Sequence, residues 1–201
     1  MKKKVQERMG AFIESELMLG GKSILDNKRL KEIIGHCKGL GLKIVLTQGS
    51  WDMIHIGHAR YMQEAKKHGD LLVVGVDSDE KIKSRKGPER PIVPQDERME
   101  MVAHLKHVDL VALKELSDPK WHMIKLVCPD VLIATKRQGY SKSELQELKK
   151  YCGKVVMLES QATTSTSAKI RSMQINTAKK LERSLTPKLL KVIEEAIAGV
   201  K

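Results

Sequence analysis

Two histidines flank a glycine in the string Gly49-Ser50-Trp51-Asp52-Met53-Ile54-His55-Ile56-Gly57-His58. The string follows the β-branched apolar run Lys43–Thr47 and precedes helical spacing over 57–68, so it sits where a strand hands over to a helix. Gly57 admits close approach of the backbone to a ligand. The new helix adds free N–H groups and the positive end of its dipole. Two imidazoles at that point can donate hydrogen bonds to phosphate oxygens. A bare pair of histidines around a glycine favours a simple polar cap. The strand before it, the helix after it, and Gly49 and Asp52 upstream turn the reading toward phosphate chemistry.

The elements that must position this string alternate. Apolar runs Leu71–Val76, Asp109–Leu113, Val131–Ala134 and Lys154–Leu158 read as further strands, nearly continuous as in parallel sheets covered on both faces. Helical spacing separates them: Leu30, Ile33, Ile34 and Cys37 after Asp26, a segment after Pro94, another near 119–127, and one opened by a Ser141/Glu144 capping box. Lys81–Pro94 is basic, holds Pro88, Pro91 and Pro94, and reads as a loop. The sum is an α/β fold: a Rossmann-like, doubly wound, parallel five-stranded sheet that binds ligands beyond the carboxyl ends of its strands. Amphipathic spacing at Val5, Met9, Phe12, Ile13 and Leu17 adds an N-terminal helix. Thr186 as N-cap, Pro187 in the first turn and Gly199 as stop add a C-terminal one. The expected division is 1–22, 23–173 and 174–201.

Composition sets the outer limits. A chain of 201 residues with 41% hydrophobic and 31% charged residues buries a core without staples. Aromatics at 3% argue against an RNA-binding sheet of stacked rings. Three scattered cysteines make neither a disulfide framework nor a zinc spacing. No apolar run reaches membrane-spanning length and none follows Met1-Lys2-Lys3-Lys4 as a signal core, so a reducing, cytoplasmic setting and no membrane partner are expected. The formal charge of +12 favours anionic partners.

The first string resembles the G-x-F-D-x-x-H-x-G-H signature of the cytidylyltransferase-like nucleotidyltransferases, with Trp51 in place of Phe. Ser165-Thr166-Ser167-Ala168-Lys169-Ile170-Arg171 resembles their C-terminal signature, with Ala168 replacing a hydroxyl residue. Over about 24–173 the chain is most similar to the adenylyltransferase domain of ADP-heptose synthases. FAD synthetase and glycerol-3-phosphate cytidylyltransferase share the motifs. One departure bears on the nucleotide. The heptose branch has K-G-G-D-Y after strand four, and this chain has Lys136-Arg137-Gln138-Gly139-Tyr140.

The resemblance implies transfer of a nucleoside monophosphate from ATP, or CTP, to a phosphorylated small molecule, with Mg²⁺ arriving on the triphosphate and no dedicated metal ligands. It implies catalytic roles for His55, His58 and Lys86. Nucleotide contacts are implied for Gly49, Ser50, Trp51, Asp52, Gly57, Lys136, Ser165, Thr166, Ser167 and Arg171. Arg90 and Arg98 are candidates for substrate phosphate, with surface salt bridging as the alternative. Members are commonly homodimers. The His-Ile-Gly-His string is shared with class I aminoacyl-tRNA synthetases, but no Lys-Met-Ser-Lys-Ser segment is present. A basic nucleic-acid-binding module is the non-enzyme rival. It requires salt-sensitive binding and indifference to His55→Ala.

Overall fold

The computed structural model describes residues 24–135, 140–159, 161 and 166–198. The expected N-terminal helix over 1–21, Lys136 and Ser165 lie outside the described residues. The five expected strands are β2 (Ile44–Gly49), β3 (Leu71–Asp77), β4 (Leu110–Lys114), β5 (Val131–Thr135) and β6 (Lys154–Leu158). A two-residue strand, β1 (Ile24–Leu25), adds to the edge beside β4. The order is β1-β4-β3-β2-β5-β6, and every pairing is parallel.

Helices cover both faces. On one side α1 (Asn27–Gly39), α5 (His122–Val127) and α6 (Lys142–Leu148) bury Leu30, Ile34, Met123, Ile124 and Leu148 against the sheet. On the other, α2 (Ile56–Lys66) and α4 (Gln95–Ala103) bury Tyr61, Met62, Met99 and Val102. All seven residues of β3 are buried, which is why its sequence carries no polar alternation. Asp26 caps α1 by accepting from Arg29 N–H, and the Ser141/Glu144 capping box forms as expected.

Aspartates accept from N–H groups where the central strands begin. Asp130 accepts from Ile44 N at 2.7 Å, and Asp109 from Leu72 N at 2.6 Å. Gly69 lies so close to Lys43 that a Cβ there would stand 2.7 Å from the Lys43 carbonyl oxygen, so the turn entering β3 needs glycine. The chain winds from β2 outward through β3 to β4, then returns across β2 to β5 and β6. The switch point is therefore at β2, whose carboxyl end feeds the histidine string.

Two expectations are corrected. Lys81–Pro94 is not a loop throughout, because α3 spans Asp79–Lys86. Ser78 caps it by accepting from Lys81 N–H, Asp79 and Glu80 lie at its positive end, Lys83, Arg85 and Lys86 at its negative end, and Ile82 is fully buried. The prolines begin only after it. The C-terminal helix does not start at Thr186: α7 runs unbroken from Thr166 to Ala198 with Pro187 inside. Helix-forming residues on both sides carry it past the one N–H that proline lacks.

The chain forms two compact units, residues 1–162 and 163–201. The second is α7 with its lead-in. The boundary expected after residue 173 falls inside this helix.

Candidate active site

At the carboxyl end of β2 the backbone turns through Ser50–Ile54 into α2. His55 is the N-cap of α2, and its Nδ1 accepts from Gly57 N at 3.0 Å. His58 reaches back, its Nδ1 accepting from His55 N at 3.2 Å. The two imidazoles thus form a reciprocal capping box, ring centroids 4.1 Å apart. Because each Nδ1 accepts, each neutral ring carries its proton on Nε2. The cap therefore sets the tautomer and makes Nε2–H the donor edge of each ring at this helix N-terminus. The cap reading holds.

Trp51 underlies this turn. Its indole is buried, donates from Nε1 to Gly75 O at 3.0 Å and sets its edge against His58 at 5.7 Å. A Cβ at Gly49 would stand 3.2 Å from the same indole, so glycine there lets the ring lie flat under the strand end. Asp52 is 3% exposed and clamps the segment after α3: it accepts from Arg90 Nε and Nη2 at 2.9 and 2.6 Å, and from the N–H groups of Ile92 and Val93. Both were expected to touch nucleotide. The structure puts them under the turn and behind it, as the groups that hold its shape.

Burial alone would raise the Asp52 carboxyl pKa. The N–H groups of Ile92 and Val93, with Arg90, outweigh this and hold it below the ordinary carboxylate value. A carboxylate depressed in the folded state stabilises above its unfolded value, about 4, and loses that contribution as pH falls through its folded value. Asp52→Asn is therefore expected to be less stable than the parent by about 1–3 kcal/mol at pH 7, with the gap narrowing below pH about 4. Urea midpoints at pH 7 and pH 3 measure it. A gap that stays constant would show that the charge of Asp52 adds nothing.

Arg98 needs the larger correction. It is 1% exposed, so it is no surface ion pair, and its donors are turned onto protein acceptors. Its guanidinium donates to Ser50 O, to Asp77 O at 2.9 Å, to Val93 O at 2.9 Å and to Asp79 Oδ1 at 2.6 Å. Three segments around the site, at Ser50, at Asp77–Asp79 and at Val93, are tied by one side chain. Arg90, the other phosphate candidate, is committed to Asp52.

Lys86, the last residue of α3, donates from its Nζ to Ser50 Oγ at 3.0 Å. Burial of its ammonium end, then the charges of Arg85 and Arg90, push its pKa below the usual lysine value. Beside it are groups that sequence reasoning missed. Asp77, at the end of β3, is buried between Arg85 at 2.8 Å and Lys114 at 3.0 Å. Burial would raise Asp77, but Lys114 and Arg85 outweigh it and hold the carboxyl low. The available signal was positional, since β3 and β4 neighbour β2 and their last residues share its carboxyl edge. Thr166, Ser167 and Arg171 belong to the first turns of α7, in the second unit. Tyr140 packs on Trp121, ring centroids 5.5 Å apart, in keeping with a packing role for that tryptophan.

Residues 46–178 match the cytidylyltransferase-like family, a span that runs from the second half of β2 through the histidine turn and into α7. The chain belongs to this family. As a cytidylyltransferase-like chain it is a nucleotidyltransferase. It is 39% identical over 134 residues to the Bifunctional protein HldE of a Nitratiruptor species, covering 66% of this chain and 28% of that protein. It is 34% identical over 181 residues to the protein of the same name from Hahella chejuensis, covering 87% and 35%. The chain thus spans about a third of the length of these relatives. Among solved structures, a lipopolysaccharide core biosynthesis protein from Thermoplasma volcanium superposes with a TM-score of 0.53 at 30% identity, over 60% of this chain and 98% of that one. A pantoate-beta-alanine ligase from Francisella tularensis shares the fold at a TM-score of 0.54 and 14% identity, over 72% of this chain and 68% of the ligase. No described helix is long and apolar enough to cross a membrane.

Proposed function

We propose that this chain transfers the adenylyl group of MgATP to D-glycero-β-D-manno-heptose 1-phosphate, forming ADP-heptose and pyrophosphate. The observation that carries the reading is the histidine pair, whose shared cap fixes both Nε2–H edges at the N-terminus of α2. A phosphate oxygen of the acceptor attacks the α-phosphorus. That P–O bond forms as the bond to the bridging α–β oxygen breaks, and pyrophosphate leaves in line. The acceptor phosphate is already a nucleophile, so no covalent enzyme intermediate is required. Catalysis is positioning plus stabilisation of charge.

In this reading His55 and His58 donate to the α-phosphate oxygens as negative charge gathers there. Gly57 and the α2 N–H groups receive the same phosphates, and Lys86 neutralises charge at the reacting centre. Lys136 contacts the nucleotide, and Ser165, Thr166, Ser167 and Arg171 take the β- and γ-phosphates. Mg²⁺ enters as part of the triphosphate substrate, because Asp52 and Asp77 are already spent on Arg90, Arg85 and Lys114. The active species is a homodimer.

Relatives named HldE and the similarity to ADP-heptose synthases favour ATP and heptose. The altered segment 136–140 favours keeping CTP in view, with glycerol 3-phosphate as its acceptor, and FMN as the acceptor of an FAD synthetase. Pyrophosphate release for ATP and CTP, each crossed with heptose 1-phosphate, FMN and glycerol 3-phosphate, decides among them. The expected result is the highest kcat/KM for ATP with heptose 1-phosphate. Faster turnover with CTP overturns the nucleotide, and preference for FMN or glycerol 3-phosphate overturns the acceptor.

A further inference from the structure

Every side chain of α7 from Arg171 to Ala198 is exposed, the large apolar ones included: Leu181 at 59%, Leu189 at 58% and Ile193 at 52%. A helix in a protein draws most of its stability from burying one apolar face. Single exposed leucines are ordinary, but a continuous apolar stripe marks a surface that something covers. Along α7 the residues Ala178, Leu181, Leu185, Leu189, Ile193 and Ala196 follow one another at steps of 3, 4, 4, 4 and 3. That mean step matches the turn of the helix, so the stripe runs straight along one face.

The steps read the same in both directions, and their centre is Pro187. Leu185 and Leu189 lie two residues to either side of it, Leu181 and Ile193 six, and Ala178 and Ala196 nine. At about 100° per residue, Pro187 itself falls on the face opposite the stripe and leaves it unbroken. A stripe of this symmetry is complementary to itself when a second copy lies antiparallel. Leu185 then meets the partner's Leu189, Leu181 meets the partner's Ile193, and Ala178 meets the partner's Ala196. Such a contact is isologous and closes at two copies.

Charge sets the direction. Residues 166–184 hold five lysines and arginines and one glutamate, whereas residues 188–198 hold two lysines and two glutamates. A parallel pair stacks the basic half on itself. The antiparallel pair sets it beside the neutral half, with Glu194 level with the partner's Lys180 and Glu195 level with the partner's Lys179. Glu195 has Lys191 of its own helix at 3.8 Å, an exposed pair that water screens. An anionic lipid surface is the other partner that suits an amphipathic basic helix. It gains from the basic half and is repelled by Glu194 and Glu195, so the charges favour the second copy.

We infer that α7 joins two copies of this chain as an antiparallel helix pair whose two-fold axis passes beside Pro187. The inference rests on the homodimer proposed above and names the face that forms it.

Sedimentation velocity over a concentration series tests it on the full chain, for the parent and two double variants. In Leu185→Glu/Leu189→Glu each glutamate meets a glutamate of the partner. In Leu185→Lys/Leu189→Glu each lysine meets a glutamate. Leu185 and Leu189 are exposed within one chain, and glutamate and lysine are good helix formers, so both variants are expected to keep the parent's helical circular dichroism and tryptophan fluorescence. The parent is expected to be a dimer. Leu185→Glu/Leu189→Glu is expected to raise the dimer Kd at least about 100-fold, and Leu185→Lys/Leu189→Glu to recover about tenfold of that loss. Equal losses in the two variants overturn the antiparallel pair, because a parallel one sets like charges together in both. A dimer that Leu185→Glu/Leu189→Glu leaves intact overturns the inference, while the homodimer stands on another surface. A parent that stays monomeric throughout overturns both. A monomeric parent that cosediments with vesicles of equal parts phosphatidylcholine and phosphatidylglycerol, and ceases to in Leu185→Glu/Leu189→Glu, gives the stripe to lipid and overturns the inference as well.

Discussion

His55→Asn is expected to keep the fold and lose the reaction. Asparagine is among the best N-caps, and its side-chain oxygen replaces Nδ1 as the acceptor for the first N–H groups of α2. Stability is expected to stay within about 1 kcal/mol of the parent. What asparagine does not replace is the Nε2–H edge that the capped tautomer presents. Removing one preorganised donor to a developing phosphate charge costs about 100- to 1,000-fold in kcat. His58→Ala, which removes the second donor and half of the cap, is expected to lower kcat by the same order and to cost about 1 kcal/mol in addition. Steady-state pyrophosphate release with thermal unfolding on the same samples measures both. Near-normal kcat in a folded His55→Asn protein would reduce the histidine pair to a helix cap.

Arg98→Met is expected to be the most damaging single change to stability. The side chain is about the right size and fits a buried site, but it donates nothing. Asp79 loses its partner, and the carbonyls of Ser50, Asp77 and Val93 lose a shared donor. Breaking a buried charge pair by removing one partner costs about 3–5 kcal/mol. Asp79 is 27% exposed, so water recovers part of its share, while the orphaned carbonyls add to the loss. A drop of about 3 kcal/mol or more, roughly 10 °C in Tm for a chain of this size, is expected. Activity is expected to fall even where the variant stays folded, because Ser50 and Asp77 share this tie. Arg85→Gln is the control: a guanidinium on the preceding helix α3, half exposed, expected within about 1 kcal/mol of the parent. A Tm for Arg98→Met equal to that of Arg85→Gln would show that the buried hydrogen bonds of Arg98 contribute little net stability.

What the sequence made legible was the part with a local signature. The β2 run, the string from Gly49 to His58, the Asp26 cap and the Ser141/Glu144 box each bring their partners within a few residues, and each forms as read. The α3 helix had the same kind of signature in Ser78, Asp79 and Glu80, but the prolines at 88, 91 and 94 drew the whole stretch into a loop. Pro187 misled in the opposite sense, since a proline one turn into a helix and a proline inside a long one are preceded by similar residues. The charged groups were the hardest to assign. Arg85, Arg90 and Arg98 lie within fourteen residues of one another and read alike. One is half exposed, one is clamped on Asp52, and one is fully buried across three segments. Their partners come from residues 50–52, 77–79 and 93, and only the parallel order of β2, β3 and β4 brings these to one edge. Asp77 and Lys114 escaped for the same reason, since nothing along the chain places the ends of two strands beside each other.

The central claim is that the α-phosphorus, and no other, is attacked. Incubation with MgATP labelled at the α-phosphate, and separately at the γ-phosphate, in the presence of heptose 1-phosphate tests it directly. The expected result is α-label in a nucleotide sugar and γ-label in pyrophosphate, both abolished together in His55→Asn. Transfer of the γ-label to the acceptor, or α-label recovered only as free AMP with the acceptor unchanged, would contradict it.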